Sequence, residues 1–145
     1  MAINFFQEDL QYNLQQKNLT KRWLRALAKS EGFKITDLNY IFCSDEYLYQ
    51  INVDYLDHDT YTDIITFDNS EKENLLEGDI FISIERIVDN AKTQNQDTYK
   101  ETIRVISHGL LHLCGYKDKT EEEAQLMRSK EDESIKLFFE LKENI

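Results

Sequence analysis

Proline is absent from this chain of 145 residues, glycine occurs four times and cysteine twice. So little proline and glycine excludes collagen-like and low-complexity character. It also argues against an all-β fold rich in tight turns. Two cysteines, Cys43 and Cys114, cannot build a disulfide framework. No run approaches the ~20 apolar residues of a membrane span. The opening MAINFFQEDL has no basic segment, and Glu8 and Asp9 break its apolar stretch, so no secretory signal is expected. These absences together lead to the expectation of a protein of the reducing cytoplasm. What is present suits a folded core: 41% hydrophobic residues, eight Tyr, eight Phe and one Trp. The length fits one domain spanning residues 1–145.

The formal net charge of −11 is unevenly spread. Between Lys17 and Lys34 six basic residues face one acid, whereas between Asp54 and Asp89 eleven acids face two basic residues. The overall balance speaks against nucleic acid as a partner, and the basic segment weakens that objection. At 100° per residue Lys21, Arg22, Arg25 and Lys29 fall on one arc of a helix, opposite Trp23, Leu24, Leu27 and Ala28. These four cations are the candidate RNA-binding face, although such a face is more often simply solvated.

The apolar periodicity predicts β-α-β-α-β-β-α-α-α. Strands are expected at Ile3–Phe6, Leu38–Cys43, Thr62–Asp68 and Gly78–Ser83, the last two joined as a hairpin by the loop 69–77. Thr20, Ser44, Ser83, Asp97 and Thr120 are the expected helix N-caps, with Gly32 and Gly115 as stops. The class is α+β: a small mixed sheet of about four strands with helices packed on it.

Chemistry concentrates in one helix. His108 and His112 are four residues apart and share a face, the usual way in which a helix begins a transition-metal site. Gly115 can reverse the chain and return Asp118 to the helix end, so that His108, His112 and Asp118 fill three positions of a tetrahedral ion. Cys114, two residues from His112, faces away and reads as a core thiol. Asp63 and Asp79 are candidate acceptors behind the histidines, or else merely strand termini.

The segment His108-Gly109-Leu110-Leu111-His112-Leu113-Cys114-Gly115-Tyr116 resembles the HGxLHLxGYDH signature of the YbeY family, the endoribonuclease also called rRNA maturation factor. Thr62–Phe67 resembles the family's TDVLSF strand, and Gly78–Ser83 its GDIxIS strand. The resemblance implies an α+β fold and a metal-dependent endoribonuclease that prefers single strands. It further implies action in 16S rRNA 3′-end processing and ribosome quality control, with ribosomal RNA, the ribosome, ribosomal proteins or a GTPase as partners, and no membrane. It also implies one divalent ion, with zinc expected ahead of nickel or iron. Two departures from the family pattern matter. Asp118 stands where a third histidine is usual; it can ligate zinc through oxygen, and a two-histidine, one-carboxylate set also suits iron(II). Leu56 stands where the family usually carries an arginine, and the nearest cationic candidate is His58, otherwise a solvated loop residue.

Two other readings compete. A metallopeptidase would need HExxH, and Gly109 occupies the position of its glutamate base. A non-catalytic module, with the metal tying helices together and the protein acting by binding RNA or the ribosome, fits Leu56 and the acidic charge.

Overall fold

The computed structural model of the protein describes residues 2–58 and 60–144; Met1, Asp59 and Ile145 lie outside the described residues. Nine elements follow one another: β1 (Ala2–Gln7), α1 (Lys17–Ser30), β2 (Lys34–Cys43), α2 (Asp45–Leu56), β3 (Ile64–Asp68), β4 (Leu75–Ser83), α3 (Ile84–Thr93), α4 (Thr98–Leu113) and α5 (Glu121–Glu143). The strands form one mixed sheet of order β1-β2-β4-β3. β1 and β4 both run parallel to β2, and β3 closes an antiparallel hairpin with β4. The α+β class and the four-stranded sheet therefore agree with the sequence reading.

Four of the five expected caps hold. Ser44, Ser83, Asp97 and Thr120 each accept a backbone N–H of the first helical turn, and Thr120 and Glu123 form a reciprocal capping box. The expectation for α1 was wrong: its N-cap is Gln16, not Thr20. Gln16 adopts a left-handed conformation that turns the chain into the helix early, and the buried Thr20 hydroxyl bonds the Gln16 carbonyl inside the first turn. β2 and β4 also begin earlier than their apolar cores indicate, because Lys34 pairs with Leu75 at the start of a long parallel ladder. Pairing of the two central strands carries charged residues into the sheet that sequence assigns to loops.

Side chains alternate across the sheet, as its pleat requires. Leu38, Tyr40 and Phe42 enter the main core with Trp23 and Leu24 of α1, Ile87 of α3, Ile106 and Leu110 of α4, and Phe138 of α5. Cys43 and Ile65 pack with Leu48 and Ile51 of α2 in a second cluster. Trp23 is fully buried, meets Phe138 edge-on at 5.1 Å and donates its indole N–H to the Ser134 carbonyl at 2.7 Å, which seats α1 on α5. α4 is anchored to the sheet by the Tyr40 hydroxyl, which donates to the Ile106 carbonyl at 2.8 Å. Among the described residues no helix is long and apolar enough to cross a membrane.

Candidate metal centre

The approach of α4 to the sheet sets where its histidines stand. Gly109 is buried, and a Cβ built there would lie 3.0 Å from Ile80 and 3.1 Å from Ile64. The helix therefore presses its glycine onto β3 and β4, leaving His108 and His112 half-buried. Position 109 faces packed isoleucine side chains, so a catalytic glutamate of the HExxH kind has no room there.

The helix ends in a Schellman turn. Gly115, at φ +105°, donates to the His112 carbonyl at 3.0 Å, and Tyr116 donates to the Leu111 carbonyl at 3.1 Å. A left-handed residue is required here, and glycine supplies it without a Cβ penalty. The reversed chain brings Asp118 back to the helix. Asp118 Oδ2 lies 3.2 Å from His108 Nε2 and 3.4 Å from His112 Nε2. The two rings stand nearly perpendicular, with centroids 4.4 Å apart.

These separations pass a geometric test. A tetrahedral ion with ligand distances of about 2.0–2.2 Å has ligand–ligand edges of roughly 3.3–3.6 Å. The two His–Asp distances sit at or just below that edge, and the three donor atoms all lie within 4.8 Å of one another. Among the described residues this is the group of histidine, cysteine and acidic side chains so arranged.

The other ring nitrogens are already engaged. His108 Nδ1 is 2.6 Å from Glu131 Oε2, and His112 Nδ1 is 2.9 Å from the Tyr116 carbonyl. A carbonyl can only accept, so Nδ1 of His112 donates to it, and Nε2 is the ring nitrogen turned toward Asp118. Burial works against a charged His108 ring, but the Glu131 hydrogen bond and the charges of Glu131, Asp118 and Asp63 outweigh it, and its pKa is raised.

Glu131 had no place in the sequence reading. It is buried on α5, 3.1 Å from Arg104 Nη1, whose Nη2 reaches Asp132 at 2.9 Å. The signal was an acid within the apolar stripe formed by Met127, Ile135 and Phe138 at helical spacing, where a carboxylate needs partners.

Asp63 precedes β3 close enough to feel His108; burial raises its pKa, against the pull of that ring. Asp79 lies on β4 and accepts from Asn39 at 3.0 Å and Asn69 at 3.4 Å. The histidine Nδ1 atoms thus find Glu131 and a main-chain carbonyl. His58 is exposed after α2 and lies outside the three-residue group, as does Cys114, whose thiol burial and then Glu31 push up to about 12. Leu56 ends α2 at 41% exposure. Arg22, Arg25 and Lys29 are exposed along α1 and Lys21 is half-buried, on the side opposite Trp23, Leu24, Leu27 and Ala28.

A model of the family described as Endoribonuclease YbeY matches residues 2–138. Over 136 residues the chain is 59% identical to a Cytophaga hutchinsonii protein named Endoribonuclease YbeY, covering 94% of this chain and 95% of that one. Proteins of the same name from Christiangramia forsetii and Flavobacterium johnsoniae are 51% and 52% identical, each over 94% of this chain and over 94% and 96% of their own lengths. In fold, the chain is similar to a Thermotoga maritima protein solved in solution, with a TM-score of 0.67 at 24% identity over 99% of this chain and 93% of that one.

Proposed function

The chain belongs to the endoribonuclease YbeY family, and from that membership we propose that it is a divalent-metal-dependent endoribonuclease acting on single-stranded segments of ribosomal RNA. Processing of the 16S rRNA 3′ end and ribosome quality control, in the cytoplasm, are its proposed tasks. The observation that carries the reading is the convergence of His108 Nε2, His112 Nε2 and Asp118 Oδ2 while both Nδ1 atoms are engaged elsewhere. Zinc is the proposed ion, since two imidazoles and one carboxylate suit it; nickel and iron(II) are accepted by the same donors.

His108, His112 and Asp118 would hold the ion on three sides. A bound ion supplies Lewis-acid chemistry at a phosphodiester. The chain's own residues do the rest. Glu131 and the Tyr116 carbonyl fix the two rings, and the buried Gly109 contact fixes the height of α4 over the sheet. Asp63 adds negative charge beside His108. Lys21, Arg22, Arg25 and Lys29 offer a cationic strip for phosphates on a chain of net charge −11. Four side chains touch few phosphates, so recruitment by the ribosome, through a ribosomal protein or a GTPase, belongs to the same reading.

Exposed Leu56 favours a second reading, a binding module without catalysis, because it offers no cation where the family resemblance expects arginine. One assay separates the two. Cleavage of a single-stranded fragment from the 16S rRNA 3′ end should be lost on chelation, regained with zinc, and absent in His112→Ala. Cleavage indifferent to both chelator and substitution overturns the metal mechanism. Metal binding without cleavage selects the second reading.

A further inference from the structure

Glu131 is 5% exposed, yet it carries a carboxylate and sits among the apolar side chains of α5. Burying a carboxylate is costly unless its oxygens find partners. Here the two oxygens are divided. Oε1 accepts from Arg104 Nη1 at 3.1 Å, with Arg128 Nη1 at 3.7 Å, and Oε2 faces His108 Nδ1 at 2.6 Å. Arg104 is itself largely buried and is committed to this arrangement. Its Nη groups turn to Glu131 and Asp132, while its Nε stays 4.0 Å from Glu101 Oε1, a buried oxygen with no hydrogen-bond partner among the described residues. The guanidinium thus satisfies Glu131 at the expense of Glu101.

We infer that Glu131 is a positioning residue of the metal centre, fixing through its Oε2 the tautomer and orientation of His108 so that Nε2 faces the ion. The inference rests on the reading of His108, His112 and Asp118 as ligands. Its physical basis is general: the carboxylate behind a metal-bound imidazole holds the proton on the far nitrogen and raises the basicity of the near one, and its loss typically lowers metal affinity ~10–100-fold. The two histidines are held differently. His112 relies on a main-chain carbonyl that no substitution removes, whereas His108 relies on a side chain from another helix, 23 residues away. Metal binding at α4 and docking of α5 are therefore coupled through one hydrogen bond.

The test measures zinc affinity of the full chain by competition with a chromophoric chelator, alongside thermal unfolding of the zinc-free protein. Glu131→Gln, nearly isosteric, should weaken zinc at least tenfold, and His108→Ala should do so at least as strongly. Long-range proton–nitrogen correlation on the labelled parent supplies a readout that needs no variant: with zinc bound, His108 should carry its proton on Nδ1. A purely structural Glu131 would lower the unfolding temperature and leave zinc affinity within threefold of the parent. That result, or a His108 protonated on Nε2, overturns the inference. If His108→Ala also leaves zinc affinity unchanged, the ligand assignment fails as well; if it alone weakens zinc, only the role of Glu131 is lost.

Discussion

The Tyr116 hydroxyl donates to Glu31 Oε1 at 2.6 Å, across 85 residues of sequence, and so straps the turn after the histidine helix to the C-terminal end of α1. Lys130 completes the contact, 3.4 Å from Glu31 Oε2 and 5.6 Å from the centre of the Tyr116 ring. The side chain and the backbone of Tyr116 serve different ends, since its carbonyl holds His112. Tyr116→Phe should therefore lower stability by about 1 kcal/mol, the net worth of a half-exposed charge-assisted bond. Zinc affinity should stay near the parent's. Urea unfolding and chelator competition on the same preparation check both halves.

Gly78 and Gly109 should respond unequally to alanine. At Gly78 the new Cβ would fall 2.6 Å from the Phe67 carbonyl oxygen, a main-chain atom that cannot rotate away. At Gly109 it would meet Ile80 and Ile64 side chains at 3.0–3.1 Å. Overpacking there costs ~1–3 kcal/mol, partly offset by ~1 kcal/mol of helix propensity. Gly109→Ala is expected to lose about 1 kcal/mol and Gly78→Ala distinctly more, read from urea midpoints. A Gly109→Ala protein more stable than the parent would show that α4 does not lie this close to the sheet.

Asp118 is the candidate ligand that departs from the three-histidine pattern of the family signature. Asp118→His should keep or tighten zinc, and Asp118→Ala should weaken it at least tenfold. Equal zinc affinity in Asp118→Ala and the parent would move the third donor elsewhere.

Glu101 yields a pH prediction away from the ligands. Burial raises its pKa, with Arg104 and Arg128 only partly opposing the shift. The unfolded chain therefore releases this proton at lower pH than the folded protein does, and the folded state bears the cost of the charge as pH rises through the raised value. Glu101→Gln should be as stable as the parent or more so at pH 7. The difference should shrink as pH falls toward 4. Urea unfolding at pH 4.5, 5.5 and 7 measures it; a gap that widens on acidification would reverse the sign.

RNA should meet the α1 strip. Each phosphate contact adds ~0.7 to the salt slope for a single strand. Arg22→Glu/Arg25→Glu should weaken binding and flatten that slope. An unchanged affinity and slope would shift recognition to a partner.

The caps and the sheet class were legible because they depend on local chemistry: Ser44, Ser83, Asp97 and Thr120 bond within their own first turns. The histidine pair and Gly115 were legible for the same reason, since spacing and left-handed freedom are properties of a short segment. Glu131 was not, because its meaning comes from α5 docking on α4, a relation that no single-sequence period encodes. The early starts of β2 and β4 were hidden likewise; Lys34 and Leu75 are strand residues only through each other.

The candidate ligands His108, His112 and Asp118 all fall within eleven consecutive residues. Such a set is a chelate even before the protein folds, since loosening the chain separates these donors by no more than a short loop. The unfolded ensemble would then compete for the same ion, and metal would stabilise the fold only by the ratio of the two affinities, not by the full binding energy. If the unfolded segment binds a hundredfold more weakly, the gain levels off near 2.7 kcal/mol however much metal is added. What lies outside this window, chiefly Glu131, is what the folded state adds to that ratio.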